Sequence, residues 1–385
     1  MTLVRNNTLS DRNSGFYRIG DKSFDTKIET LIYATELKVP REDIKFIYFD
    51  SIWENSHTTK TINANLQDVF KLRAEQLRDE YDYLILNYSG GYDSWTILNI
   101  YLTHDIFLDE IVVKWPYKAV YNGNRNIHTP DINNKHPSNY LTEWEALIKD
   151  DLKLVAKLSP KTKITIYDFS DELLNVDEEK LIEKLPSNHF IGLPSVIRQG
   201  AITQSELKLS DDKKIASIYG VDKPILCRDG EDCFMAFNDK VAQVNGDNDV
   251  YFFWGADNPV VLIEMAHRVF EWFQIHKTQR HLIPDVNVPV DADNFKKYTT
   301  IVNFVCYPNY NHNRFQTDKP TSVIHHEKDT WARAIPEIQP AFNKWNGLLG
   351  EIFTKIDKRF LIIRSGIVHS FVTIHSKTHR IGTFT

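Results

Sequence analysis

Six consecutive residues, Ser89-Gly90-Gly91-Tyr92-Asp93-Ser94, have the types and spacing to hold a polyphosphate. Two successive glycines let the chain turn sharply and bring backbone N–H groups against phosphate oxygens, because no Cβ stands in the way. Ser89 and Ser94 add hydroxyl donors. Asp93 is out of place beside phosphates unless a cation lies between them. Mg²⁺ commonly bridges a carboxylate and substrate phosphates, so Asp93 predicts that metal. A plainer account makes Ser-Gly-Gly a tight turn, with Asp93 or Ser94 capping a helix. It explains each residue singly, but not why all six follow a buried strand and open a helix.

The flanking sequence supplies that setting. YLILNY (83–88) is a short apolar run, as in a strand buried on both faces of a parallel sheet. WTILNIYL (95–102) is helical in length and character, and its start offers unpaired N–H groups and the positive end of a helix dipole. EIVVKW (110–115) and KITIYD (163–168) are the next strand candidates. Between them LTEWEALIKDDLKLVAKL (141–158) carries a helical stripe of Trp144, Leu147, Ile148, Leu152 and Val155. Alternating strand and helix predicts an α/β fold with a doubly wound parallel sheet of Rossmann-like kind. Pro116 to Asn139 is polar and aperiodic, a stretch of the kind that usually carries function or moves.

On either side the pattern changes. KFIYFD (45–50) reads as a strand and LQDVFKLRAEQLRDEY (66–81) as a helix, with Val69, Leu72 and Leu77 among its apolar positions. PILCRDGEDCFMAF (224–237) reads as a hairpin around Asp229-Gly230, VVLIEMAHRVFEWFQIH (260–276) as an amphipathic helix, and GIVHSFVTIHSK (366–377) as an edge or hairpin strand. Three regions are therefore expected: an α+β extension over 1–80, the nucleotide domain over 81–224, and an α+β substrate or interaction domain over 225–385.

The hexapeptide matches the signature SGGxDS, and through it the chain resembles the PP-loop family (N-type ATP pyrophosphatases, adenine nucleotide alpha-hydrolase-like). No GxxxxGK[ST] occurs and no Lys follows the glycines, which sets a Walker loop aside. The resemblance covers about residues 81–225. As a whole the chain also resembles asparagine-synthetase-like phage proteins without a glutaminase domain. Family members include the asparagine synthetase C-terminal domain, GMP synthetase, NAD synthetase, argininosuccinate synthetase and tRNA-modifying enzymes. The resemblance implies ATP cleaved between its α and β phosphates, an adenylated intermediate with release of pyrophosphate, and displacement of AMP from it by a nitrogen or sulfur nucleophile. It places adenine against the strand after the first crossover, Val112 to Trp115, where the backbone of Val113 could read the base; an ordinary core strand is the equal alternative. A cation is needed for charge developing on the phosphates. Lys223 in YGVDKP and Arg198 in LPSVIRQG are the candidates, with Arg125 a poorer third, and each alone is more often a surface charge.

The bulk composition narrows the classes. At 385 residues the chain has room for two domains, and a net charge of −6 argues against a protein that coats nucleic acid by bulk positive charge. Three cysteines are too few for a disulfide framework, so a reducing, cytoplasmic compartment is expected. No secretory leader and no membrane-length apolar run is visible. The many aromatic residues read as core first and as base-stacking platforms second.

Other signals are weaker. A three-residue turn at 229–231 would set Cys227 opposite Cys233, either as a sulfur relay or as two small semi-buried residues. His325, His326, His369, His375 and His379 lack the short ligand spacing of a zinc site, and Gly246-Asp247-Asn248-Asp249 is only a fragment of a calcium loop. No N-terminal Cys or nucleophile elbow supplies a glutaminase. Amidation would therefore take nitrogen from free ammonia, an amine substrate or an ammonia-donating partner. The leading expectation is an adenylating ligase using ATP and Mg²⁺. The rivals are a nucleotide-binding regulator without turnover and a nucleic-acid-modifying enzyme, for which a basic aromatic groove would speak.

Overall fold

The computed structural model describes residues 15–116, 118, 147–175, 193, 197, 213–221, 223–239, 248–285, 292–308, 310, 338–364 and 367–385. Its centre is strand β4 (Tyr83–Asn87), and three strands precede it: β1 (Phe16–Ile19), β2 (Lys22–Phe24) and β3 (Ile44–Ile47). These three form an antiparallel sheet ordered β2-β1-β3, accompanied by helices α1 (Lys27–Glu36) and α2 (Asp50–Asn55). The strand expected at 45–50 stops at Ile47, since Phe49 is left-handed (φ 50°) and α2 starts at Asp50.

Helix α3 (Leu66–Glu80) starts where the Asn65 side chain accepts from the Gln67 N–H at 2.9 Å. Its buried face runs Leu66, Val69, Phe70, Arg73, Ala74, Leu77, a spacing of three and four. Leu72, expected among the apolar positions, is 61% exposed because it falls on the opposite side of this helix.

After β4 come α4 (Tyr92–Thr103), β5 (Glu110–Lys114), α5 (Lys149–Leu158), β6 (Lys163–Tyr167), α6 (Ser170–Leu174) and β7 (Ile215–Tyr219). A hairpin of β8 (Ile225–Asp229) and β9 (Asp232–Ala236) then precedes β10 (Asp249–Tyr251). The five strands β10-β7-β4-β5-β6 make one all-parallel sheet flanked by helices, an arrangement compatible with a Rossmann-like fold. Both faces of β4 are covered: Leu84 and Leu86 join the main core, while Ile85 packs with Val112 and Ile215 on the other side. That is why the run is apolar without alternation. Each such side chain contributes roughly 1.5–3 kcal/mol on burial.

Strand β10 lies beyond residue 224 in sequence, yet it pairs with β7. Buried Arg73 of α3 fixes it there, donating to the Tyr251 carbonyl at 2.9 Å, the Phe252 carbonyl at 3.3 Å and the Asp257 carboxylate at 2.6 Å. Helix α7 (Pro259–Ile275) packs on α3 and on α8 (Ala292–Cys306), and α9 (Gln339–Thr354) leads to β11 (Leu361–Arg364), β12 (Ile367–Phe371) and β13 (His379–Thr383). Strand β13 completes a second antiparallel sheet, β13-β9-β8. One contiguous core extends from Tyr17 to Phe384. Across it, Lys27 of α1 meets Asp239, just past β9, at 2.5 Å with both side chains fully buried, and the Tyr17 hydroxyl donates to the same carboxylate at 2.9 Å. Among the described residues no helix is long and apolar enough to cross a membrane.

Candidate functional site

The segment 88–91 leaves the C-terminal end of β4, the strand at which the order of the sheet reverses. Strands β5 and β6 are added on one side of β4, whereas β7 and β10 are added on the other. Open parallel sheets bind ligands outside the carboxyl ends of their strands at such a reversal, where successive connections diverge and leave a crevice.

Helix α5 clamps the loop from one side. Buried Tyr88 donates its hydroxyl to Asp151 and its N–H to the Val112 carbonyl at 2.8 Å, which fixes where the turn begins. Gly90 then adopts φ +72°, a left-handed conformation that L side chains avoid, and a Cβ there would stand 2.8 Å from Ile148 Cγ1. Gly91 occupies the N-cap position of α4, and no side chain caps this helix start. Ser89 is exposed. Ser94 is buried, and its hydroxyl braces the loop: it meets the Ser89 N–H and hydroxyl at 3.2 Å each and the Gly91 carbonyl at 3.3 Å. Both hydroxyls brace the turn, since Ser89 Oγ also accepts from the Gly91 N–H at 3.4 Å, and Ser89 is the exposed one of the two.

From the other side comes the chain after β7. Gly220 presses on the first turn of α4 so closely that a Cβ would meet Asp93 Cβ at 2.9 Å and Ile97 Cδ1 at 3.1 Å. Three residues later Lys223 reaches Asp93, with Nζ 3.1 Å from Oδ1 and side chains 12% and 29% exposed. The Tyr307 hydroxyl, just past α8, donates to the same oxygen, and Lys223 Nζ lies 5.5 Å from the centre of the Tyr307 ring. Tyr310 stacks at a tilt on Tyr92, centroids 5.0 Å apart, and donates to its hydroxyl at 3.3 Å. Burial pushes the Tyr92 phenol well above its ordinary value.

The expected site residues are thus partly assembled. Ser89, Gly90, Gly91, Tyr92, Asp93 and Ser94 form the strand–loop–helix junction, and Lys223 joins them. Val113 is buried in β5 in register with Ile166 of β6, so the ladder is what its main chain meets. Arg198 lies outside the described residues, as do Arg125, Trp144, His325, His326, Gly246 and Asp247. Asp249 is a β10 residue opposite Ser217. Tyr307, Tyr310 and Gly220 are not among the expected residues. A glycine directly after the apolar run IASIY is a readable sign of close backbone approach; nothing local marks Tyr307, 214 residues from Asp93.

The hairpin corrects the cysteine geometry. Its turn is the two residues Gly230-Glu231, so Cys227 pairs with Phe234, and Cys233 pairs with Arg228. One residue of register takes the two cysteines off a shared cross-strand position. Burial pushes the Cys227 thiol up to about 12 and Cys233 higher still, which keeps both protonated and unreactive. Among the described residues no three His, Cys, Asp or Glu side chains converge as a metal cage. Compared with known proteins, the chain matches no family model, no curated protein and no solved structure.

Proposed function

We propose that the chain is an adenylating enzyme of the PP-loop kind, built on a doubly wound sheet, that binds ATP at residues 89–94. One observation carries this reading: the glycine turn and the uncapped start of α4 lie together at the end of β4, where the strand order reverses. A helix start of this sort presents N–H groups and a positive dipole end to an anion.

In this reading Gly90, Gly91 and the first turn of α4 cradle phosphate, and exposed Ser89 donates to it. An acceptor oxygen attacks the α-phosphorus, the bridging P–O bond to the β-phosphate breaks, and pyrophosphate leaves. A nitrogen nucleophile then displaces AMP from the adenylated acceptor. Lys223 supplies positive charge to the departing group once it leaves Asp93. The donor set fits Mg²⁺ that arrives with the nucleotide: both contacts to Asp93 fall on Oδ1, and one carboxylate with substrate phosphates is a common magnesium environment. Bound there, the ion would neutralise phosphate charge.

The engagement of Asp93 by Lys223 and Tyr307 also favours a second reading, nucleotide binding without turnover. Fluorescent ATP-analogue titration with and without Mg²⁺, followed by pyrophosphate release across an acceptor screen, separates the two. The expected result is Mg²⁺-dependent binding that Asp93→Ala weakens by about tenfold or more, roughly 1.4 kcal/mol or more. Stability should fall by about 1–3 kcal/mol, because Lys223 and the buried Tyr307 hydroxyl lose their carboxylate partner, and binding is therefore compared where the variant stays folded. Binding indifferent to changes at residues 90, 91 and 93 would overturn the assignment of the loop, and binding without pyrophosphate under every condition would favour the second reading.

A further inference from the structure

Beside the loop lies a cleft of about 700 Å³ between α7, α8 and the start of α3. We propose that this cleft is the acceptor subsite and that it selects a small molecule with an uncharged, planar aromatic body. The word acceptor rests on the adenylating reading; the preference of the cleft does not.

The volume suits a small-molecule ligand, which commonly occupies ~300–1,000 Å³. The walls are aromatic: Trp272, Phe304, Tyr307 and Tyr310 all line it. Such rings favour a planar partner, through stacked or edge-to-face contact. Phe304 is 64% exposed, so a ligand against it gains apolar burial that the free protein lacks. The charges in the wall cancel. Arg268 binds Glu271 at 2.7 Å, and its other terminal nitrogen donates to the Ala64 carbonyl at 2.8 Å and to Asn63 at 3.1 Å. A single-stranded nucleic acid needs a basic groove along its backbone; the described wall offers one cation, already satisfied.

Continuity with the loop identifies the ligand's role. Tyr307 lines the cleft and donates to Asp93, while Tyr310 lines it and donates to Tyr92. Two residues of the hexapeptide are therefore one side chain away from whatever fills the cleft.

The test uses the full chain and N-phenyl-1-naphthylamine, a neutral planar fluorophore, with nucleotide affinity read separately by a fluorescent ATP analogue. The expected result is saturable one-to-one binding, weakened by about tenfold in Phe304→Ser and in Trp272→Ala, with nucleotide affinity unchanged. Phe304→Ser alters an exposed position and so remains informative if Trp272→Ala fails to fold. Mg²⁺ and the ATP analogue should shift probe affinity by about fivefold or more in the wild type and not in Tyr307→Phe, which keeps the ring and loses the contact to Asp93. Probe affinity unchanged in Phe304→Ser, or no shift on adding nucleotide under conditions where the nucleotide is seen to bind, would overturn the proposal. So would a single-stranded oligothymidine that displaces the probe in a salt-dependent way. Normal probe binding without any nucleotide binding would instead overturn the adenylating reading and leave the aromatic preference standing.

Discussion

Replacing Gly90 by Ala separates backbone strain from steric overlap at the loop. The left-handed conformation at φ +72° costs an L residue about 1–2 kcal/mol. The new Cβ would lie 2.8 Å from Ile148 Cγ1, against a carbon–carbon optimum of ~3.5–4.0 Å. Displacing a buried neighbour in this way costs typically ~1–3 kcal/mol. The expected total is therefore ~2–5 kcal/mol, severe but tolerable for a protein whose stability is on the order of 5–15 kcal/mol.

Gly230→Ala is the internal reference. Gly230 sits at φ +57° with nothing within 4 Å of where a Cβ would stand, so it bears only the conformational part, ~1–2 kcal/mol. Urea unfolding of Gly90→Ala, Gly230→Ala, Ile148→Ala and the Gly90→Ala/Ile148→Ala pair measures each contribution. Once Ile148 is truncated, Gly90→Ala should cost no more than Gly230→Ala, giving a coupling of about 1–3 kcal/mol. Additive effects at 90 and 148, or equal costs at 90 and 230, would refute the overlap. Gly91→Ala completes the series. Its φ of −76° is unstrained and its nearest neighbour is Ser89 Oγ at 3.5 Å, so stability should fall by less than about 1 kcal/mol while nucleotide affinity drops. A tight turn with no ligand makes no such prediction.

Three further outcomes are expected. Burial holds the His379 imidazole below its ordinary value, so the unfolded chain takes up a proton that the folded one refuses. Stability present above about pH 6.5 is then lost as pH falls towards the lower folded value, and the urea midpoint should drop less steeply in His379→Gln; parallel pH profiles would refute this. All three cysteines are buried with thiols pushed up by burial, to about 12 for Cys227, so a thiol reagent near neutral pH should label none of them until denaturant is added. Rapid native labelling of Cys227 or Cys233 would reopen the sulfur relay. Lys27→Met should destabilise by ~3–5 kcal/mol by stranding the buried Asp239 carboxylate, and Lys27→Met/Asp239→Leu should recover most of that loss. Equal unfolding midpoints for the single and double variants would count against an uncompensated buried charge as the cause.

What was legible in the sequence is what short-range physics determines. A run of apolar residues followed by Gly-Gly and a helical pattern specifies strand, turn and helix within some twenty residues, and β4, the loop and α4 follow that order. The same holds for β5, β6 and α7, where period and length agree. The failures have long-range causes. Leu72 looks like its neighbours in composition, yet the packing of α3 on α4 and α7 decides which stripe is buried. The register of the β8–β9 hairpin hinged on one turn residue, and a single step moved Cys233 opposite Arg228. Strand β10 depends on Arg73, which holds its end from far earlier in the chain.

Asp93 shows where local legibility stops. Its presence in the hexapeptide predicts Mg²⁺, whereas the contacts the fold brings to its carboxylate oxygen are Lys223 after β7 and Tyr307 after α8. Neither partner is set by the motif. Lys223 is delivered because Gly220 allows the chain to pass against α4, and Tyr307 because α8 packs on α7. Under the proposed reading, nucleotide chemistry and acceptor choice would be carried by different parts of the chain. The first resides in a contiguous loop whose geometry can be reasoned from its glycines. The second would reside in side chains from α3, α7, α8 and the residues just past α8, which meet only in the folded state, and Tyr307, lining the cleft and donating to Asp93, would join the two.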